Sequence, residues 1–318
     1  MNLFLLLGFF LGFVLLIKGA DFLIRGGVSL AKKLRVSDMF IGLTLISIGT
    51  SLPELFVSVS ANNHSNFDIL LGNILGSNIA NILLVLGLGA FFRKIILEHN
   101  TVWKEIPFSL IATLVLFIIA NDIIFNNDRL NRITFSDGLI LIFFYVVFVY
   151  YLLSEKHYKE VDNLPTDLVE WKVAIFLVIV GILMLNLGGE LVVNGAIYIA
   201  NILGVSQAFV GLTIIAVGTS IPELVTSLVA LIKRNQSIAV GNAVGSCIVN
   251  IFLVLGLSAL KREIIYSSLR NADLFMAFVS SFVLLIASLI KKDKMVLDRF
   301  EGFFFLVLYV LYIIFLIY

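Results

Sequence analysis

The chain has little charge and few of the side chains that enzymes and metal proteins use. Of 318 residues, 14% are charged, and there are one cysteine, three histidines and four prolines. The single cysteine, Cys247, excludes an internal disulfide, and no histidine or cysteine spacing is typical of a zinc site. The net charge of +1 gives no reason to expect a nucleic-acid partner.

An enzyme is also not expected from this composition. The histidines fall outside the apolar segments, and the serines and threonines inside them have no base nearby except glutamate. An intramembrane enzyme would need a nucleophile with a base, or a metal with a bound water. We therefore expect neither a catalytic site nor a cofactor.

Apolar sequence dominates what is present. Hydrophobic residues make up 60% of the chain, and the mean hydropathy is +1.09. A membrane-spanning helix needs about 20 apolar residues. The sequence predicts an all-α polytopic membrane protein, with no segment left for a soluble domain. Ten spans are predicted, at 2–24, 37–60, 69–91, 107–125, 134–153, 171–193, 205–231, 238–260, 271–290 and 299–318.

Two sequence blocks occur twice. GLTLISIGTSLPELFVSVSA (42–61) returns as GLTIIAVGTSIPELVTSLVA (211–230), identical at twelve of twenty positions. GNILGSNIANILLVLG (72–87) returns as GNAVGSCIVNIFLVLG (241–256), identical at eleven of sixteen. Both offsets are 169 residues, so each copy keeps the same internal spacing.

The duplication predicts two inverted halves. The first blocks fall on the second and seventh predicted spans, and five crossings separate them, so the copies enter the membrane from opposite faces. Inverted repeats are typical of secondary transporters, with the site where the halves meet. The predicted division is a five-helix repeat over 1–153, a short cytoplasmic connector over 154–170, and a second five-helix repeat over 171–318.

Basic residues in the loops predict the orientation. Fifteen lysines and arginines fall in the loops on one side and five on the other. Because cytoplasmic loops carry the excess of positive charge, the first side is cytoplasmic. Both termini are then outside, and we expect an integral protein of the plasma (inner) membrane that works as a monomer in the lipid bilayer.

The first block places oxygen ligands beside a weakened helix. Proline removes a backbone donor and clashes with the carbonyl four residues earlier, so Pro53 loosens the carbonyl of Gly49. Freed carbonyls at membrane depth persist only where protein, water or an ion satisfies them. Spacings of three and four residues bring side chains to one helix face. The predicted ligands on that face are Thr50, Ser51 and Glu54, repeated as Thr219, Ser220 and Glu223.

The second block carries a polar stripe at spacings of four residues. Taken alone, the stripe is more typical of close helix packing. Beside the glutamate helices it predicts the remaining wall of an oxygen cage. Its members are Asn73, Ser77 and Asn81 in the first copy and Asn242, Ser246 and Asn250 in the second.

The predicted cage suits a hard cation. It offers carboxylate, amide, hydroxyl and carbonyl oxygens. Ca²⁺ binds about six to eight oxygen ligands of these kinds. A transition-metal site would recruit histidine or cysteine. Two glutamates match the charge of one divalent ion, and without a cation they repel each other, so protons should compete for the site.

With GTSLPEL, GNILGSN, GTSIPEL and GNAVGSC in place, the chain resembles the cation/calcium exchanger superfamily, and most closely its prokaryotic sodium/calcium antiporters. The resemblance covers essentially the full length. It implies a secondary active antiporter that exchanges Ca²⁺ for Na⁺ by alternating access. It also implies that Glu54 and Glu223 ligate Ca²⁺ with Thr50 and Thr219, that Ser51, Ser77, Ser220 and Ser246 form Na⁺ sites, and that Asn81 and Asn250 line the centre.

One position departs from the family pattern. Many sodium/calcium members have aspartate where this chain has Asn250, so the cage holds two carboxylates rather than three. A third Na⁺ would leave a buried site net positive, which is costly. The expectation is therefore fewer than three Na⁺ per Ca²⁺, and a Ca²⁺/H⁺ antiporter or a K⁺-dependent Na⁺/Ca²⁺ exchanger remains the alternative.

Overall fold

The computed structural model describes residues 3–125, 130–154, 169–202, 218–290 and 295–317. These residues form helices joined by short turns and two small strand pairs. The strands are β1 (Ile95–Ile96), β2 (Arg132–Ile133), β3 (Ile264–Ile265) and β4 (Val296–Leu297). The helices are α1 (Leu3–Leu34), α2 (Asp38–Thr50), α3 (Leu52–Asn63), α4 (Phe67–Phe92), α5 (Thr101–Ile119), α6 (Phe135–Ser154), α7 (Trp171–Ile202), α8 (Ile221–Ile232), α9 (Gln236–Lys261), α10 (Ser268–Ile290) and α11 (Arg299–Ile317).

Most of these helices are long and apolar enough to cross a membrane. Eight qualify individually, and α2 with α3 makes a ninth if the bent pair is one span. The predicted seventh span, 205–231, lies partly outside the described residues, and its described part contains the shorter apolar helix α8. The prediction of a helical, polytopic membrane protein is confirmed at this level.

Three helices have bounds that differ clearly from the predicted spans. Helix α7 continues past the predicted end at residue 193, to Ile202. Helix α1 continues ten residues past the predicted end at residue 24, to Leu34. Helix α5 covers Thr101–Ile119 instead of 107–125, because a π-helical turn at Thr101–Glu105 adds to its start. At its other end the Asn121 amide donates to Phe117 O across 2.8 Å and takes a carbonyl left open by the helix end.

The helices differ strongly in burial. Helices α4 and α9 carry the second sequence block. In their most apolar 18-residue stretches, 78% and 83% of the residues are buried inside the protein. In α1 and α7 the share is 33%, and in α6 and α11 it is 28%. The duplicated block therefore forms the centre of the molecule, and the helices around it present apolar side chains outward, as a lipid-facing surface requires.

Helices α1 and α7 cross each other closely along a line of glycines. A Cβ at Gly19 would lie 2.9 Å from Gly181 O, and one at Gly188 would lie 2.8 Å from Gly12 O. As the contact moves along α1 from Gly12 to Gly19, it moves backwards along α7 from Gly188 to Gly181, so the two helices are antiparallel. Small residues permit this approach of two membrane helices.

The strand pairs join distant parts of the chain. Strand β1 pairs antiparallel with β4, Ile95 opposite Leu297, and β2 pairs antiparallel with β3, Ile133 opposite Ile264. Each pair links a residue before position 154 to one after position 171. The turns that follow α4 and α9 are thereby held in equivalent positions.

Candidate cation site

The helix that carries each glutamate begins at an irregular residue, as the proline in the block predicts. Between α2 and α3 the chain bends by 45° at Ser51, whose φ and ψ are −83° and 9°. In the second copy, Ser220 precedes α8 with nearly the same angles, −86° and 4°. Proline fits the first turn of a helix because a backbone N–H there has no intrahelical partner, so its absence removes no hydrogen bond. The bend therefore produces a fresh helix N-terminus inside the apolar region.

Both glutamates lie in these new first turns. Glu54 is in the first turn of α3 and Glu223 in the first turn of α8, and each side chain is 0% exposed. A carboxylate at a helix N-terminus is favoured by the helix dipole. Glu223 accepts a hydrogen bond from Ser51 of the first copy, and the serine that donates to Glu54 accepts one from Ser220 of the second copy. An irregular residue, a helix N-terminus and the acid thus occur together in each copy.

Threonine and asparagine connect the two copies through matched hydrogen bonds. Thr50 Oγ1 donates to Asn242 Oδ1 across 3.0 Å, and Thr219 Oγ1 donates to Asn73 Oδ1 across 3.0 Å. Each asparagine amide also donates to the backbone carbonyl of the glutamate in its own copy, at 3.2 Å in both cases. The asparagines therefore hold the glutamate helices α3 and α8 in place and orient the threonines.

The serines complete the connection around the carboxylates. Ser51 Oγ donates to Glu223 Oε1 across 3.1 Å, and Ser77 Oγ donates to Glu54 Oε1 across 3.1 Å. Ser77 Oγ also accepts from Ser220 Oγ at 2.9 Å and from Asn250 Nδ2 at 3.2 Å. Ser77 is thus shared by residues of both copies.

Several buried oxygens of this cluster have no hydrogen-bond partner among the described residues. Buried polar atoms are normally paired, so such atoms require an explanation. Carboxylate and amide oxygens and a hydroxyl are the ligands that Na⁺ and Ca²⁺ take, so the donor set fits a hard cation. The unpartnered oxygens are Glu54 Oε2, Glu223 Oε2, Ser246 Oγ, Asn81 Oδ1 and Asn250 Oδ1.

Of the twelve residues predicted from the sequence, ten belong to the hydrogen-bonded cluster. Ser246 and Asn81 are 0% exposed and lie in the same buried helices, but their side chains make no hydrogen bond within the described part of the chain. Asn81 and Asn250 each occupy the second residue of a π-helical segment, Ala80–Leu86 and Val249–Leu255. Such segments occur frequently at functional sites.

The sequence reasoning missed four residues that build the cluster. Ser58 and Ser227 accept hydrogen bonds at 3.0 Å from Asn73 and Asn242. Asn78 Nδ2 donates to Cys247 O at 3.1 Å, and Cys247 Sγ lies 3.6 Å from Asn78 O, so two residues at equivalent positions contact each other. Asn78 also accepts from Asn250 Nδ2 at 3.1 Å. Comparing the repeats position by position identifies the Ser58 and Ser227 pair, since both copies keep that serine.

These features define an integral membrane protein with a polar, acidic cluster enclosed by its most buried helices. Residues 4–154 and 173–318 match the family described as sodium/calcium exchanger protein. The chain belongs to that family.

Individual relatives are similar over nearly the whole chain. The putative antiporter CaxA of Alkalimonas amylolytica is 35% identical over 310 residues, which covers 95% of each protein. The sodium/calcium exchanger MaX1 of Methanosarcina acetivorans is 30% identical over 349 residues, covering 97% of each. A solved structure of the sodium-calcium exchanger NCX_Mj, soaked with zero Na⁺ and Ca²⁺, superposes with a TM-score of 0.82 at 31% identity and covers 99% of this chain and 100% of its own.

Proposed function

We propose that this protein is a secondary active antiporter that exchanges Ca²⁺ for Na⁺ across a membrane by alternating access. The observation that carries the proposal is that Glu54 and Glu223, one from each motif copy, are both fully buried and belong to one hydrogen-bonded cluster with serines of both copies. Two buried carboxylates match the charge of one Ca²⁺ or two Na⁺, so the same residues bind either substrate in turn. The family and its named sodium/calcium exchangers support Na⁺ as the counter-ion over the H⁺ or K⁺ alternatives.

The ligands follow from the buried oxygens. Glu54 and Glu223 bind Ca²⁺ with the hydroxyls of Thr50 and Thr219, each of which donates to an asparagine of the opposite copy. The serines of both blocks supply Na⁺ ligands, and Asn81 and Asn250 line the centre. Asn73 and Asn242 donate to the glutamate backbone carbonyls, so they position the other ligands and present their own oxygens to the threonines. No further cofactor is needed.

The architecture we propose is ten spans in two inverted five-helix repeats, 1–153 and 171–318, joined by a connector over 154–170. The antiparallel crossing of α1 and α7, equivalent first helices of the two repeats, supports the inversion. Ten spans and the bias of basic residues put both termini outside the plasma membrane. Each chain contains both glutamates, so a monomer in the lipid bilayer is sufficient for exchange.

Charge balance limits the number of sodium ions. Glu54 and Glu223 are the acidic residues of the buried cluster, and the central positions 81 and 250 are neutral asparagines. Three Na⁺ would leave a net positive charge in a low-dielectric interior, which costs several kcal/mol. We therefore propose a coupling of fewer than three Na⁺ per Ca²⁺.

The test is Ca²⁺ flux into liposomes containing the purified protein, with Na⁺, H⁺ and K⁺ gradients imposed separately. Uptake driven by an opposed Na⁺ gradient, with no requirement for K⁺, supports the proposal. Uptake driven by an H⁺ gradient alone would favour the proton antiporter. Uptake driven by voltage alone, without an opposed cation gradient, would identify a channel and overturn the proposal.

A further inference from the structure

The crossed pair α1 and α7 is joined to the central helices by an ion pair at one end. Lys233 Nζ contacts Asp21 Oδ1, which links the C-terminal end of α8 to α1. The two side chains are 38% and 37% exposed, so the contact lies near the surface and can open without exposing a buried charge. Within the described ranges, this is the ion pair that connects α1 or α7 to another helix.

The repeat places a second acid and a second base in equivalent positions. The offset of 169 residues takes Asp21 to Glu190 on α7, and it takes His64, which ends α3, to Lys233, which ends α8. The two helix ends have similar backbones, with φ and ψ of −91° and 9° at His64 and −76° and 5° at Lys233. Each copy therefore offers an acid on its first helix, and the opposite copy offers a basic side chain at an equivalent helix end.

The two equivalent contacts differ in the structure. Asp21 and Lys233 are in contact, whereas Glu190 and His64 form no ion pair in the part of the chain that the structure describes. Glu190 is exposed, and His64 Nδ1 lies 2.9 Å from Ser60 O in its own helix. One contact is closed and its repeat equivalent is open.

We propose that these two pairs are alternating latches, which rests on the proposed antiport function because only alternating access requires two states. In an inverted repeat, each copy adopts in one state the arrangement that the other copy adopts in the opposite state. The Asp21–Lys233 contact holds α1 against α8 and closes the passage at the Lys233 face. When α1 and α7 tilt the other way, that contact opens and Glu190 meets His64 at the opposite face.

The two latches have unequal strength. Lys233 carries a compact ammonium with three donors on a flexible four-carbon stem, whereas the shorter His64 ring already has its Nδ1 2.9 Å from Ser60 O. The state with the Lys233 face closed is consequently favoured, and the ion site opens to the His64 face. Replacing His64 by lysine would make the latches chemically equal and move the population toward the opposite state.

The experiment measures the apparent Ca²⁺ affinity at each membrane face in liposomes with a single protein orientation. Lys233→Ala and Asp21→Asn should weaken the apparent affinity at the His64 face and strengthen it at the Lys233 face, by about 2- to 5-fold, as expected for exposed ion pairs. His64→Lys should act in the same direction, and adding Glu190→Gln should cancel its effect. Lys32→Ala removes one positive charge from the same end of α1 and should change neither affinity.

A second readout is independent of transport. Spin labels attached in place of Leu34 and Ile232, which are 53% and 76% exposed, report the distance between the ends of α1 and α8. The single cysteine, Cys247, is buried and does not take the label. Lys233→Ala should shift the distance distribution to longer values, and Lys32→Ala should leave it in place.

The outcomes separate the latches from the antiport function. If the unaltered protein showed no Na⁺-driven Ca²⁺ exchange, the proposed function would be refuted, whatever distance the spin labels report. The latches would be refuted, with exchange normal, if Lys233→Ala changed both affinities in the same direction. They would also be refuted if Lys233→Ala changed neither the affinities nor the distance.

Discussion

Ser51 Oγ donates a hydrogen bond to Glu223 Oε1 across 3.1 Å, so a hydroxyl of the first motif copy holds the carboxylate of the second. The link in the other direction is indirect. Ser220 donates to Ser77 Oγ, and Ser77 donates to Glu54 Oε1. Each carboxylate is therefore oriented in part by the opposite copy, and substitutions in the two copies should not act additively.

Removing either carboxylate charge should abolish transport. Glu54→Gln or Glu223→Gln keeps the shape of the side chain but leaves the bound cation uncompensated, and breaking a buried charge pair costs about 3–5 kcal/mol. We expect Na⁺-driven Ca²⁺ uptake to fall by roughly 100-fold or more in liposomes, in proportion to that cost. Glu263→Gln, at a carboxylate that is 48% exposed and pairs with Arg132, is the matched control and should transport normally. Normal uptake by either buried variant would refute the assigned site.

Adding a third acid should increase the charge moved per Ca²⁺. Asn81→Asp introduces a carboxylate at a side chain that makes no hydrogen bond in the described structure, so it changes charge with little structural loss. Asn250→Asp adds the same charge but removes the amide that donates to Ser77 and Asn78. Both variants should strengthen the dependence on Na⁺, and Asn250→Asp should also be less stable.

Current and Ca²⁺ flux, recorded together on the same liposomes, give the charge moved per Ca²⁺. The unaltered protein should carry less inward current than three Na⁺ per Ca²⁺ requires. A current that matches three Na⁺, or an Asn250→Asp variant with unchanged Na⁺ dependence, would remove the support for the charge-balance proposal.

Two equivalent serines should behave differently when replaced. Ser77 Oγ takes part in hydrogen bonds with Glu54, Ser220 and Asn250, while Ser246 Oγ has no partner among the described residues. In ion-free buffer, Ser77→Ala should lower the free energy of unfolding by about 1–3 kcal/mol, because it leaves buried groups unpaired. Ser246→Ala should change it little.

In the presence of Na⁺, by contrast, Ser246→Ala should have a measurable effect on stability. If its hydroxyl is an ion ligand, Ser246→Ala should reduce the increase in melting temperature that Na⁺ produces in the unaltered protein. Melting curves in detergent with and without Na⁺ measure both effects. An unreduced response to Na⁺ would exclude Ser246 from the sodium sites.

The glycine crossing of α1 and α7 should not accept a side chain. A methyl group at Gly188 would lie 2.8 Å from Gly12 O and 2.9 Å from Leu16 N, both backbone atoms that cannot rotate away. Gly188→Ala should therefore force the helices apart, destabilise the protein by about 1–3 kcal/mol and slow exchange. Gly8→Ala is the control, since its methyl would meet only the end of Leu191 at 3.4 Å. Equal melting temperatures and rates for the two variants would contradict a tight crossing.

Much of this protein can be predicted from sequence because the membrane restricts what an apolar chain can form. With no water to satisfy backbone groups, long apolar segments must be helical. Pro53 and Pro222, each one residue before a glutamate, predicted a locally weakened helix, and the structure has a bend at Ser51 and a helix start after Ser220. Spacings of three and four residues predicted which polar side chains share a helix face, and the duplication indicated which positions are equivalent.

Contacts between the copies were decided only by the tertiary structure, because helix periodicity describes one helix at a time. No spacing within a block reveals that Ser51 contacts Glu223, or that Asn78 meets Cys247. Nor does it reveal that Ser77 hydrogen-bonds to both copies while Ser246 makes no hydrogen bond to a described residue. The repeat predicts symmetry, yet Asp21 contacts Lys233 and Glu190 does not contact His64 in the described residues. A protein built from two like halves can adopt two unlike arrangements, and which of them it adopts depends on how the helices pack, not on the sequence pattern they share.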